Sequence, residues 1–366
     1  MNKKIYLDYG ATAPLAEGLR GRLDILAVDW SNPSALYGSA KYNKHVIEKV
    51  REKVAKEINA DPSEIYFTSS GSESNALAIN GFLKANLGSK AICSNIEHSS
   101  IIKNSNVKPT LLCNKDGFIF PDTIKDVDKN TLISVMMCNN EIGSCQPIKD
   151  IVTKAHELGC YVHCDAVQCF GKTPIDVKYL DVDMMSMSGH KIGSLRGVGV
   201  LYIKKKVLVS PIIYGEQENG LRGGTYNDFA IKSLGTAIDE INYGDAKIIK
   251  NRRDYLLSKL MNNEHIRLNG VLNNRAENNI NICIKNIKIT ASQIVGLLNE
   301  QGFEISAGSA CHSGNPTPSH VLKAIGLSDE DALHSIRITI GIENSVNDLL
   351  DFADALENII EMNSSI

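Results

Sequence analysis

The sequence has no Cys-x-x-Cys pair, no long apolar run, no block dominated by one sign of charge, and neither a G-x-G-x-x-G nor a Walker motif. Each absence removes a class of function. The longest apolar stretch, Leu132-Ile133-Ser134-Val135-Met136-Met137-Cys138, is broken by serine and falls far short of the roughly 18 residues a membrane helix needs. The counts of 39 Lys+Arg against 42 Asp+Glu give a formal net charge of −3, which supports neither nucleic-acid nor membrane-surface binding. Asp8 interrupts any apolar signal region that would follow Lys3 and Lys4, so a secretion signal is not expected. The missing dinucleotide and Walker spacings weigh against nucleotide chemistry.

Nine cysteines, an odd number, are scattered through the chain, which predicts free thiols and a cytoplasmic setting. Cys160, Cys164 and Cys169 with His156 and His163 match no common zinc spacing, so no metal is expected.

What is present is a chain of 366 residues, 43% hydrophobic, enough for one large or two ordinary domains. From residue 60 onward, short apolar runs alternate with helical patterns, which predicts a mostly parallel sheet covered by helices. Strands are expected at Glu64–Thr68, Lys90–Ser94, Lys108–Cys113, Thr131–Cys138, Tyr161–Asp165, Asp183–Ser188 and Gly199–Ile203. Helices are expected near Glu73–Asn86, Ser99–Asn104, Thr123–Asp128 and Ile148–Leu158, the last with an apolar stripe at 148, 151, 152, 155 and 158. An earlier stripe, Val46, Ile47, Val50, Val54 and Ile58, reads as packing. Two further helices, Phe229–Ile241 and Lys247–Leu260, meet at Asn242-Tyr243-Gly244-Asp245, the best internal boundary. The last third reads as strands near Ile280–Ile284 and Ile336–Ile340, then a helix capped by Ser345 with Asp348.

Three segments carry chemistry. Ser186-Met187-Ser188-Gly189-His190-Lys191 places a lysine directly after a buried strand, where ligands of open α/β sheets collect. Desolvation there favours the neutral amine that forms Schiff bases; a surface lysine is the plain alternative. His163-Cys164-Asp165-Ala166-Val167-Gln168 ends a strand with an acid, which could serve a pyridinium nitrogen or merely cap a turn. Thr68-Ser69-Ser70-Gly71-Ser72-Glu73-Ser74-Asn75 joins a strand to an amphipathic helix, and free N–H groups at that helix start would suit phosphate.

In this order, together with Asp8-Tyr9-Gly10-Ala11-Thr12-Ala13-Pro14, Ser31-Asn32-Pro33-Ser34, Asn139-Asn140-Glu141-Ile142-Gly143, Arg222-Gly223-Gly224-Thr225 and Gly308-Ser309-Ala310-Cys311, the motifs resemble the cysteine desulfurases. These are NifS/IscS-type members of the class V aminotransferase group, and the match runs from residue 5 to about 340. The resemblance implies a fold-type I pyridoxal phosphate transferase: an α/β protein with a mostly parallel seven-stranded sheet, helices on both faces, and a smaller α+β domain. The large domain would span 15–245, and the small one 1–14 with 246–366.

The resemblance also assigns roles. Lys191 would hold pyridoxal 5′-phosphate covalently, Asp165 would pair with the ring nitrogen, Gln168 would reach the ring hydroxyl oxygen, and His98 would stack on the ring and shuttle protons. Gly71, Ser72, Ser188 and His190 would bind the phosphate, and Thr225 the phosphate of a neighbouring subunit, which implies a homodimer. Asn140 and Arg337, with Asn32, would hold the substrate carboxylate, for which a guanidinium fork is suited.

Cys311 lies in a run of small and turn-forming residues from 305 to 319, the one cysteine context here that suits a nucleophile; the other eight read as packing residues. The implied reaction takes L-cysteine to L-alanine, leaves sulfur as a persulfide on Cys311, and passes it to an acceptor in iron–sulfur cluster assembly or tRNA thiolation. His312 after Cys311 also resembles selenocysteine lyases. That activity, or another class V aminotransferase-like reaction, is the alternative.

Overall fold

The computed structural model describes residues 4–28, 30–307, 311–312 and 315–364, with the backbone alone at 311, 312, 315 and 316. The strands in chain order are β1 (Ile5–Tyr6), β2 (Ile65–Thr68), β3 (Ala91–Ser94), β4 (Val107–Leu111), β5 (Leu132–Ser134), β6 (Tyr161–Asp165), β7 (Met184–Ser188) and β8 (Gly199–Ile203). They continue with β9 (Ile266–Leu268), β10 (Asn279–Ile284), β11 (Phe303–Glu304), β12 (Ser306–Ala307), β13 (Cys311–His312), β14 (Asn315–Pro316) and β15 (Ser335–Thr339).

The seven expected strands form one sheet in the order β2-β8-β7-β6-β5-β3-β4. Pairs β3–β4, β3–β5, β5–β6 and β6–β7 are parallel, and β8 alone runs against its two neighbours. Every residue of β7 and β8 is buried, because helices cover both faces of a parallel sheet and leave no wet side. On one face the helix Gly71–Ala85 sets Leu77, Ala78 and Phe82 against Met184 and Leu201. On the other, Ile47, Val50 and Val54 of Gly38–Glu57 join Ile151 and Val152 of Ile148–Glu157 and Leu234 of Asp228–Asp239.

A second, antiparallel sheet runs β12-β15-β10-β9. Its isoleucines 280, 282, 336 and 338 pack with Leu256, Leu298, Phe352 and Leu356 from the helices Gly244–Leu260, Ala291–Glu300 and Val346–Asn363. The first strand belongs to this layer: β1 pairs in parallel with β11, and Ile5 and Leu7 enter the same core.

Three expectations need correction. The helix expected at Thr123–Asp128 is only a 3-10 turn at Pro121–Thr123, because Asp126 and Asn130 adopt left-handed backbone with φ of 56° and 62°, which no helix continues through. The strand expected over Thr131–Cys138 is paired on both sides only at Leu132–Ser134. Beyond it Val135 and Met137 still donate to β6, at His163 O and Asp165 O, but on the β3 side the buried carboxylate of Glu97 accepts from Met136 N at 2.9 Å. Finally, the cysteines are not all free. Cys138 and Cys145 face each other across an antiparallel bridge, with Cα atoms 4.1 Å apart, and form a disulfide. Six other described cysteines are free.

The helix from Ser345 carries the expected capping box with Asp348. His163 is a satisfied core residue, held between Ser134 Oγ and Ser186 Oγ at 2.9 Å each, and burial pushes its pKa down to about 4. His156 bonds Asp183 at 2.8 Å. Among the described residues no three His, Cys, Asp or Glu side chains gather as metal ligands, and no helix is long and apolar enough to cross a membrane.

Candidate active site

A cavity of about 370 Å³ opens at the carboxyl ends of β2, β3, β5, β6 and β7. The placement follows from topology: consecutive parallel strands all release their chains at the same edge, so the turns after them meet there. The lining includes Gly71, Ser72, His98, Asn140, Asp165, Gln168, Ser188, His190, Lys191 and Arg337.

Asp165 closes β6 with its side chain almost entirely buried. Its Oδ2 accepts from Asn75 Nδ2 at 2.8 Å and its Oδ1 from Val167 N at 3.0 Å. Asn75 also donates to Ser100 Oγ at 2.9 Å, and that hydroxyl lies 2.9 Å from His98 Nδ1. A continuous polar chain therefore ties the acid at the floor to the histidine at the mouth. His98 caps the short helix Ser99–Ile102, accepting from Ser100 N. The residue is exposed and lines the cavity, with protein close enough to desolvate its ring in part. This desolvation lowers its pKa, Asp165 raises it, and Lys191 and His320 lower it again.

Lys191 ends the turn Gly189–Lys191 after β7. Its Nζ donates to Gly10 O at 2.5 Å and Ala11 O at 2.8 Å, and Gln168 Nε2 donates to the same Gly10 carbonyl at 3.0 Å. The N-terminal segment thus forms one wall. Burial, followed by the nearby cations of Lys172 and Arg337, lowers the Lys191 pKa from 10.5 to about 7, so a large share of the amine is neutral near neutral pH.

Gly71 opens the 15-residue helix Gly71–Ala85, which Ser70 caps by accepting from Glu73 N. A Cβ at Gly71 would stand 2.7 Å from Val167 Cγ2 and 3.4 Å from Ser188 Cβ, so only glycine leaves this corner open. Ser188 Oγ beside it is buried with no protein partner, and His190 Nδ1 lies 3.1 Å from Thr12 Oγ1. Burial lowers the His190 pKa to about 4, leaving a neutral ring. A helix start, an open backbone corner and an unpaired hydroxyl make a cradle for an oxyanion.

Arg337 reaches the cavity from β15 of the second sheet. Nη1 donates to Asn140 O at 3.0 Å and Nη2 to Asp8 Oδ1 at 2.7 Å, while Nε is buried without a partner. Asn32 and Thr225 stand elsewhere: both are exposed and neither lines this cavity. Asn32 Oδ1 closes its own turn by accepting from Ser34 N at 3.0 Å. The backbone of Cys311 pairs with Pro316 in a short hairpin; its side chain lies outside the described residues.

Sequence reasoning missed Asn75, Asp8 and the Cys138–Cys145 pair, whose Cys138 lines the cavity. Asn75 carried a usable signal: it sits four residues after Gly71, one helical turn on and therefore over the same spot. Asp8 carried none, since its partner Arg337 is at the far end of the chain.

The sequence matches the aminotransferase class-V family over residues 5–352. The cysteine desulfurase IscS of Dictyoglomus turgidum is 39% identical, the alignment covering 99% of this chain and 95% of that protein. The X-ray structure of a NifS-like protein from Rickettsia africae superposes with a TM-score of 0.88 at 30% identity, covering 98% of this chain and 99% of that one. The structure described as SspA in complex with cysteine gives a TM-score of 0.80 at 33% identity, over 92% of this chain and 99% of that one.

Proposed function

Because this chain belongs to the aminotransferase class-V family, we infer that it is a cysteine desulfurase working with pyridoxal 5′-phosphate, which takes L-cysteine to L-alanine and leaves the sulfur on Cys311. The observation that carries this reading is the convergence on one cavity of a depressed-pKa amine from β7, a carboxylate from β6 and a guanidinium from the second sheet.

The residues present fit the cofactor. The unpartnered Ser188 Oγ and the space kept open by Gly71 suit its phosphate, together with Ser72 and His190. Lys191 would hold it covalently, Asp165 would face its ring nitrogen, Gln168 its ring hydroxyl, and His98 would lie over the ring. Bound there, pyridoxal phosphate supplies an electron sink for charge left at the substrate Cα.

The chain's own groups do the rest. Arg337, steadied by Asp8 and Asn140, takes the substrate carboxylate in its fork, with Asn140 as a further carboxylate ligand. Lys191, whose pKa is lowered to about 7 so that about half of the amine is neutral at that pH, takes the Cα proton. The Cys311 thiolate attacks the substrate sulfur: an S–S bond forms on Cys311, the carbon–sulfur bond breaks, and its electron pair is protonated at the β-carbon. Lys191 and His98 handle the protons.

The proposal extends to a homodimer in which Thr225 serves the phosphate of a second copy. The exposure of Thr225 and of Trp30 and Leu36, 83% and 86% open in the single chain, supports this. It includes a large domain over 15–245 and a small one over 1–14 and 246–366, supported by one core whose buried members run from Ile47 to Ile238 and another built from Ile5, Leu7 and residues from Leu256 to Ile360. It places the enzyme in the cytoplasm, where its six described free thiols would persist. It delivers sulfur to an acceptor protein, either an iron–sulfur scaffold or a tRNA-thiolation enzyme.

The test is turnover of L-cysteine by the enzyme reconstituted with pyridoxal phosphate, with alanine quantified and Cys311 examined by mass spectrometry. Cys311→Ser should keep the absorbance change on adding cysteine yet release essentially no sulfide, the defect falling on kcat. Wild-type desulfuration by Cys311→Ser would refute the assignment.

A further inference from the structure

The chain on either side of Cys311 is pinned to the two halves of the site just described. Upstream, β12 pairs with β15 so that Ser306 stands opposite Arg337 and Ala307 opposite Ile336. Cys311 follows Ala307 by four positions in the sequence. Downstream, three contacts hold the chain from Ser319 onward.

The first is a hydrogen bond from Ser319 Oγ to Glu141 Oε2. The same hydroxyl accepts from Val321 N at 3.1 Å and Leu322 N at 3.3 Å, capping the helix His320–Ala324. The second joins His320 Nε2 to Glu97 O at 2.9 Å. The third is apolar: Val321, Leu322 and Ile325 pack with Ile96 and Ile142 in a small separate core.

The residues on the receiving side are the neighbours of those assigned to substrate and cofactor. Glu97 precedes His98, and Glu141 follows Asn140. Glu141 is itself fixed, since its carbonyl accepts from Asn279 Nδ2 at 3.0 Å and Asn281 Nδ2 at 3.1 Å on β10. Its backbone is thus anchored to the second sheet, and Ser319 is tied to its carboxyl group.

Resting on the desulfurase reading above, we propose that Glu141, Ser319 and His320 are positioning residues for sulfur transfer: they fix the downstream end of the Cys311 segment to the turns carrying His98 and Asn140. None of the three needs to touch the substrate. They set where the chain that follows Cys311 meets the wall of the cavity, and reaction between two held groups is sensitive to displacements of an ångström.

The test separates cysteine binding from sulfur transfer in the reconstituted enzyme. Ser319→Ala and Glu141→Ala should each leave the cysteine-induced absorbance change and its concentration dependence close to wild type. Each should slow single-turnover persulfide formation on Cys311 by roughly tenfold to a hundredfold, the range for one hydrogen bond to a charged group. The double variant should lose no more than the worse single variant, because both remove the same bond. Ser319→Thr, which keeps the hydroxyl, should restore the rate. In the apoprotein, amide exchange at His320–Ala324 should quicken in Ser319→Ala and return in Ser319→Thr. Wild-type persulfide formation in both alanine variants overturns the proposal, as does an equal loss of cysteine binding or failure of Ser319→Thr to rescue. A desulfurating Cys311→Ser enzyme would instead overturn the underlying reading, so the two failures are distinct.

Discussion

The amide of Asn75 holds the Asp165 carboxylate at 2.8 Å and Ser100 Oγ at 2.9 Å. It thereby sets the orientation of the acid assigned to the cofactor ring and couples it, through Ser100, to His98. A carboxylate that must face a ring nitrogen needs its rotamer fixed, and a buried amide on a helix does so at little entropic cost.

Asn75→Ala should therefore weaken pyridoxal phosphate without changing the fold. The lost bond is to a charged group, which contributes about 1.5–3 kcal/mol, or roughly ten- to a hundredfold in cofactor Kd. Absorbance titration of the apoprotein measures this, with the far-UV spectrum as control. Unchanged affinity would mean that Val167 N alone orients Asp165.

Lys191→Ala should abolish the covalent link: borohydride treatment followed by denaturation should leave cofactor on the wild type only. The pH dependence has a defined sign. With the folded-state pKa lowered from 10.5 to about 7, the unfolded chain holds a proton that the folded chain lacks across that window. The cost of burying this lysine is greatest below about pH 7 and fades toward 10.5. Apoprotein carrying Lys191→Met should consequently melt above wild type at pH 7, with the gap closing as pH rises. Covalent capture of pyridoxal phosphate by wild-type apoprotein should speed up as pH rises through about 7.

Arg337→Lys keeps a charge but loses the fork that spans Asp8 and Asn140. The loss should be about 1.5–3 kcal/mol of substrate binding, read as a roughly ten- to hundredfold fall in kcat/KM for cysteine. Cofactor absorbance should stay as in wild type. A bleached cofactor, or unaltered turnover, would make Arg337 structural and move attention to Asn140.

The Cys138–Cys145 disulfide closes the turn that carries Asn140 and Glu141. Alkylation of the denatured protein should count two more thiols after reduction than before, and peptide mapping should find residues 138 and 145 in one cross-linked fragment. Equal counts would show the pair reduced under the conditions of purification.

Much of the fold was legible in the sequence because it is written in local terms. Strand β7 and the lysine after it, the helix start at Gly71, the acid closing β6 and the capping box at Ser345 each depend on a dozen neighbouring residues, and a burial pattern or a cap is a short-range signal. The failures were local too. Periodicity at Thr123–Asp128 gave no warning that Asp126 and Asn130 would turn left-handed. What only the tertiary structure decided is every relationship that spans the chain. Asp8 meets Arg337 at 2.7 Å, Gly10 O receives both Lys191 and Gln168, Ser319 reaches Glu141, and Cys138 finds Cys145 across a bridge. The sequence by itself determined which chemical groups the protein carries and which element each would end. Their convergence on one cavity depended on parallel strands releasing their turns at a common edge, and on β1 leaving the first residues of the chain beside β15. Packing of that kind is set by the sheet as a whole and by no segment of it.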